Sequence, residues 1–149
     1  GLTTQAIAEV LTPSHLSAFD FSGEQVARAR RRLGASAVVD IRQADATAMP
    51  YETGSFDVVF EIGILHHIPR WRQAIPEIGR VLRPSGAFCF AEPTRGRLTK
   101  GMYRMFPHPA EAMFEKDELL AELAAAGLSV RSVTHTLLWN VFGFAQASA

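Results

Sequence analysis

Residues 55–65, SFDVVFEIGIL, constrain the fold more than any other stretch of this chain. They are apolar almost without interruption, with Thr-Gly before them and His-His-Ile-Pro after. A strand buried on both faces reads this way, and such strands belong to parallel sheets whose faces are covered by helices.

The rest of the chain alternates in the same style. HLSAFDF, AVVDIRQAD and AFCFAEP are three more apolar runs, each followed by a turn or a polar exit. GEQVARARRRLG is a helix with Val26, Ala29 and Leu33 as its inner stripe and Gly34 as its stop. Its arginines fall around the outer side and read as a solvated face. Trp71, Ile75, Ile78 and Leu82 recur at helical spacing, with Pro76 predicted either to start the regular helix or to kink it. RPSG is a turn. EKDELLAELAAAG leads with acids, turns Leu119, Leu120 and Leu123 inward and stops at Gly127. At the start, Ile7, Val10 and Leu11 share a helix face, with Thr3 or Thr4 placed as its cap. LSVRSVTHTLLW and NVFGFAQA are two closing strands, predicted to turn near Trp139–Asn140. Residues 94–113 hold two glycines and two prolines without a clean period and read as an irregular excursion.

Strands alternating with helices imply right-handed crossovers. The expected fold is α/β: a Rossmann-like, doubly wound, mostly parallel sheet with helices on both faces and an antiparallel edge at the C-terminal end. One domain over residues 1–149 is expected.

Composition narrows the function. Fifteen Lys plus Arg balance fifteen Asp plus Glu, which argues against a general nucleic-acid or anionic-membrane binder. The one cysteine, Cys89, lies in an apolar run, excludes an internal disulfide and reads as a small buried hydrophobe. No run reaches membrane-spanning length and no secretory leader pattern is present, so a cytoplasmic protein is expected.

Ligands of open α/β sheets bind beyond the carboxyl ends of the strands. Those exits hold Asp20, then Asp45 and Ala46, then His66 and His67, then Glu92. Asp20 follows Gly1 at the spacing of a ribose-binding acid, although a turn aspartate reads the same way. Asp45 reads equally as an adenine contact or as an Asx turn.

In AFDFSGEQVARAR, in the run from Gln43 to Pro93 and in FEKDELLAELAAAGL, the sequence resembles the class I S-adenosylmethionine-dependent methyltransferases, in their small-molecule branch. The resemblance implies S-adenosylmethionine as cofactor and methyl transfer to a small-molecule acceptor, with no nucleic acid, membrane or metal involved. Asp20 would bind the ribose and Phe21 would pack along the adenine. Asp45 and Ala46 would read the adenine edge, and the backbone at Glu61 and Ile62 would run beside the methionine end. His66 or His67 would act as base with Glu92 orienting it; a structural role for one histidine is the other reading. Arg95, Arg97, Met102, Tyr103, Arg104, Phe106 and His108 lie where the family builds part of its acceptor pocket. Gly1 matches the last glycine of a G-x-G-x-G loop. The resemblance therefore implies a preceding central strand and two further glycines, and a truncated sheet that another segment or a second chain would complete. An inactive remnant of the fold and a nicotinamide-dependent oxidoreductase are the competing readings.

Overall fold

The computed structural model describes residues 1–135 and 140–148, apart from the side chain of Met102. The predicted hairpin turn at Trp139 lies outside the described residues. Two compact units emerge, Gly1–Pro50 and Tyr51–Ala149.

The first unit contains α1 (Leu2–Leu11), β1 (Leu16–Asp20), α2 (Gly23–Leu33) and β2 (Val39–Gln43). β1 and β2 pair in parallel, from Leu16 opposite Val39 to Asp20 opposite Gln43. Val26, Ala29 and Ile41 form the core, with Ala18, Leu33 and Val39 packed against them. Ser22 caps α2 by accepting the Gln25 amide at 3.4 Å, and Gly34 ends it at φ 66°. One arginine departs from the solvated face: Arg30 donates through Nε and Nη2 to the Ile41 carbonyl at 3.0 and 2.6 Å, pinning α2 to β2. α1 is capped by Gly1, so Thr3 and Thr4 lie inside the helix rather than at its cap. Gly1 has a packing reason to be glycine, since a Cβ there would meet Ala29 Cα at 3.0 Å. Val10 and Leu11 remain exposed on α1.

The second unit contains β3 (Phe56–Ile62), α3 (Trp71–Val81), β4 (Leu82–Pro93), α4 (Arg95–Leu98), α5 (Lys116–Ala125), β5 (Leu128–His135) and β6 (Asn140–Ala147). Short 3-10 turns cover Leu65–His67, Gly101–Met105 and Ala110–Ala112. Its sheet runs β3-β4-β6-β5, with β3 and β4 parallel and β6 antiparallel to both β4 and β5. The closing pair forms the expected antiparallel edge, with β6 inside and β5 outermost. Among the described residues β3 pairs with β4 alone, and Val58 and Ile62 stay exposed, so β3 is not covered on both faces within this unit.

α3 ends at Val81, and Leu82 opens β4 instead of closing the helix face. Pro76 sits inside α3. The predicted RPSG turn is present, but as an excursion within β4: Leu82 pairs with Phe56 while Ala87 already pairs with Val58. Ser85 takes φ 63° there, and a Cβ on Gly86 would meet the Arg83 carbonyl at 2.9 Å. Trp71 and Phe114 are fully buried, with ring centroids 4.5 Å apart. Leu119 and Leu123 face the interior of the unit, and Leu120 is only partly covered. Each fully buried large side chain contributes roughly 1.5–3 kcal/mol. Across α3 and α5, Arg72 pairs with Glu118 and Glu122 at 3.1 and 2.9 Å. Among the described residues no helix is long and apolar enough to cross a membrane.

Gly143 explains how β6 fits inside this sheet. It lies opposite Phe90 of β4, and a Cβ there would overlap the Phe90 ring. Phe90 is buried and cannot swing into solvent. Gly143→Ala is therefore expected to cost about 1–3 kcal/mol through overpacking. Phe90→Leu in the same chain should recover part of that loss, as a double-mutant cycle by denaturant unfolding would read. Additive losses would show that the ring and the glycine do not compete for one space.

Candidate active site

The exits of β3 and β4 lie at the same end of the second sheet because the strands are parallel. Ile62 stands opposite Ala91, and the Gly63 amide donates to the Ala91 carbonyl at 2.8 Å. Gly63, at φ 69°, then reverses the chain into the 3-10 turn Leu65–His67. That turn leaves the amides of Ile64 and Leu65 pointing at two acids. Glu92 Oε1 accepts them at 2.6 and 2.8 Å, and Glu61 Oε1 accepts the same two at 2.7 and 3.4 Å.

Both carboxyls are buried, Glu61 at 8% exposure and Glu92 at 1%. Two anions cannot share two amides in so dry a place without one taking a proton. Burial raises the pKa of both. Glu61 is raised well above the ordinary carboxyl value, by desolvation first and then by its hydrogen bond to Glu92 and the Glu92 charge. Glu61 thus holds the proton and donates it in a hydrogen bond to Glu92, which keeps the charge. Glu61 Oε2 is buried without a hydrogen-bond partner.

Glu92 also receives His66: its Oε2 lies 2.7 Å from His66 Nδ1, and both side chains are nearly inaccessible. An ionised carboxylate only accepts, so Nδ1 carries the hydrogen and Nε2 carries the lone pair. Burial holds His66 below its ordinary pKa, and this outweighs the opposing pull of the acidic pair beside it. His67 is exposed and is lowered by desolvation and then by His66 and His108. The three rings form one cluster, with centroids 4.0 Å apart for His66–His67, 5.4 Å for His66–His108 and 5.3 Å for His67–His108.

Sequence reasoning singled out the pair and Glu92, but it filed His108 among acceptor-pocket residues and gave Glu61 only a backbone role. The signal for Glu61 was available: an acid inside an otherwise apolar strand demands a partner. His108 had no such signal, because its approach depends on the path of the irregular segment. In that segment Arg97 lies over the Tyr103 ring at 4.5 Å, Arg95 bonds the Met113 carbonyl and Glu118, and Phe106 is exposed. Arg104 is exposed, and the Met102 side chain lies outside the described residues.

In the first unit, Asp20 and the loop after Gln43 leave from one end of the β1–β2 pair. Asp20 Oδ1 accepts the Ser22 amide at 2.8 Å, and Asp45 Oδ1 accepts the Thr47 amide and hydroxyl, each at 2.8 Å. Both acids thus form Asx-type turns, which fixes their carboxyls at the exits. Phe21 is 76% exposed beside Asp20, and its carbonyl accepts the Gln43 side chain at 3.0 Å. Ala46 is half-buried in the Asp45 turn.

A hollow of about 290 Å³ lies at the other end of the second sheet, among Thr53, Gly79, Pro84 and Ser148. It has no acid–base pair in its lining.

Because the folded chain binds the Glu61 proton more tightly than the unfolded chain, stability is fullest below the ordinary carboxyl range. It is lost as pH rises through that range toward the folded value, at about 1.4 kcal/mol per pH unit. Glu61→Gln mimics the protonated acid and should flatten this slope, leaving an alkaline Tm equal to or above that of the parent. Glu61→Ala, which removes the partner of Glu92, should lower it. Thermal melts across pH check both, and an unchanged slope in the Gln variant would show that Glu61 ionises freely.

Residues 1–90 match the family described as methyltransferase domain. The chain is 35% identical over 137 residues to the 27-O-demethylrifamycin SV methyltransferase of Amycolatopsis mediterranei, covering 78% of this chain and 46% of that protein. It is 34% identical over 92 residues to a demethylmenaquinone methyltransferase of Clavibacter sepedonicus, covering 62% and 38%. The chain thus spans less than half the length of these two relatives. Among solved structures, it superposes at a TM-score of 0.83 on a chain of the complex between the Haloferax volcanii Trm112 methyltransferase activator and a methyltransferase. That match is 16% identical and covers 100% of this chain and 79% of the other. With a Rossmann-like α/β fold and a family match over more than half its length, the chain belongs to the methyltransferase domain family.

Proposed function

We propose that this chain serves methyl transfer from S-adenosylmethionine to a small-molecule acceptor, with His66 receiving the acceptor's proton. The observation that carries the reading is the buried Glu92–His66 pair at the carboxyl ends of β3 and β4. The relatives that act on rifamycin and menaquinone precursors support a small-molecule acceptor.

The residues present suit the cofactor chemically. Asp20 offers a carboxylate at a strand exit, Phe21 an uncovered aromatic face, and Glu61 a buried oxygen without a partner. Within the first unit, Asp20 would take the ribose hydroxyls, and Asp45 and Ala46 the adenine edge. When bound, S-adenosylmethionine supplies a methyl group made electrophilic by its sulfonium.

The protein's own work is orientation and proton handling. Glu92 fixes the tautomer of His66, so that Nε2 presents a lone pair to an acceptor hydroxyl. The Ile64 and Leu65 amides hold Glu92 in place, so the ring keeps its direction without substrate. Aligning acceptor and methyl group supplies much of the acceleration in such a reaction. General-base help adds about 10²–10⁴-fold.

Calorimetric titration of the chain with S-adenosylhomocysteine tests the reading, with a nicotinamide dinucleotide as control. Saturable binding of the first alone is expected. Asp20→Ala should weaken it about 10–100-fold, the worth of hydrogen bonds to a charged group. His66→Asn should leave that binding intact and lower kcat about 10²–10⁴-fold on acceptors from a panel of phenols and hydroquinones. Binding of the dinucleotide instead would overturn the proposal.

A further inference from the structure

His66, His67 and His108 each place one ring nitrogen within 4.8 Å of those of the other two. We propose that they form a binding site for a divalent transition ion of the zinc class, with a fourth position open to an outside ligand.

The geometry carries most of the case. A tetrahedral zinc–imidazole bond of about 2.0–2.1 Å puts ligand nitrogens about 3.3 Å apart and ring centres about 5 Å apart. Two of the three centroid separations, 5.4 and 5.3 Å, already match, and only His66–His67 at 4.0 Å must open. His67 and His108 can make that adjustment because neither sits in a long helix or strand. His67 ends a 3-10 turn, and His108 lies between Pro107 and Pro109.

The second argument is the support behind the cluster. A metal-bound histidine almost always donates its other ring N–H to a carboxylate or carbonyl, which fixes its direction and raises its basicity. His66 does so to Glu92 at 2.7 Å, and Glu92 is in turn held by two backbone amides. Nε2 of His66 is thereby left as donor. The anionic charge shared by Glu61 and Glu92 also offsets part of a dication's charge.

Donor type selects the ion. Three imidazoles suit zinc, cobalt, nickel, copper or ferrous iron, and magnesium or calcium poorly. Burial falls from His66 through half-buried His108 to exposed His67, so the cluster is closed behind and open in front. The open side leaves room for water or an anionic oxygen as the fourth ligand, the arrangement of a zinc site that exchanges ligands.

This inference stands apart from the methyl-transfer reading and constrains it. His66 Nε2 cannot coordinate an ion and accept a proton together, so a loaded site removes the base. An acceptor hydroxyl bound at the open position would then lose its proton to solvent water, its pKa lowered by the ion's charge.

Cobalt(II) titration of the chelator-stripped chain tests the site. The strong visible bands of four-coordinate cobalt should grow to a single equivalent and be abolished by zinc. His108→Ala and His67→Ala should each weaken binding at least tenfold with an unchanged circular dichroism spectrum. Glu92→Gln should weaken it about 10–100-fold. His15→Ala, in the first unit, should change nothing. Weak six-coordinate bands alone, or a spectrum that survives His108→Ala, would overturn the proposal. S-adenosylhomocysteine titration of the same samples separates this result from the cofactor reading, because removing His108 should leave that binding unchanged.

Discussion

The carboxyl group of Glu92 is the point on which the second unit's chemistry depends. It is the last acid of β4, yet it organises the loop that leaves β3. Through one oxygen it takes the amides of Ile64 and Leu65, and through the other it takes His66 Nδ1. Without it, the Ile64 and Leu65 amides would be left to Glu61 alone, and the buried His66 Nδ1–H would lose its acceptor and its direction. A buried donor left unpaired costs about 1–3 kcal/mol. Placing the acid is the sheet's task. Parallel pairing brings the exits of β3 and β4 to one end, and Gly63 reverses the chain at φ 69° where an ordinary residue would be strained.

Around that point the unit's strands and helices are tied to one another. β6 binds β4 over the length from Ala87 to Pro93, holding the strand that carries Glu92 on its second side. α3 and α5 are tied by the Arg72–Glu118–Glu122 network. The arginine pairs are half exposed and individually worth little. The aromatic contact of Trp71 with Phe114 contributes more, since both rings are removed from water. Phe114 also carries the carbonyl that accepts the Arg95 amide, so the same residue anchors the start of α4.

Most of the architecture was legible because its signals are local. Apolar runs marked the cores of β1 to β4, Gly34 and Gly127 stopped their helices, and the acids before Leu119 announced α5. Local signals failed where position depends on a distant partner. Thr3 and Thr4 looked like caps, but Gly1 takes that place, close against Ala29 of α2. Arg30 looked solvated because its partner is a backbone carbonyl, which has no sequence signature. The apolar character of β3 suggested burial on both faces, whereas Val58 and Ile62 stay exposed and, among the described residues, the second unit supplies a partner on one edge only. At the site, the His66–Glu92 pairing follows from two strand exits and was anticipated as a juxtaposition. The Glu61 proton was not, because it requires knowing that two acids point at the same amides.

That proton changes the electrical description of the chain. Counted from residues, fifteen cations cancel fifteen acids and the formal net charge is zero. Over the pH range in which Glu61 stays protonated, the folded chain is one unit more positive than that count. Unfolding returns Glu61 to water and releases the proton to the buffer. The heat of unfolding therefore contains the buffer's own ionisation enthalpy. Melts in two buffers matched in pH but not in that enthalpy will differ in measured heat while describing the same transition.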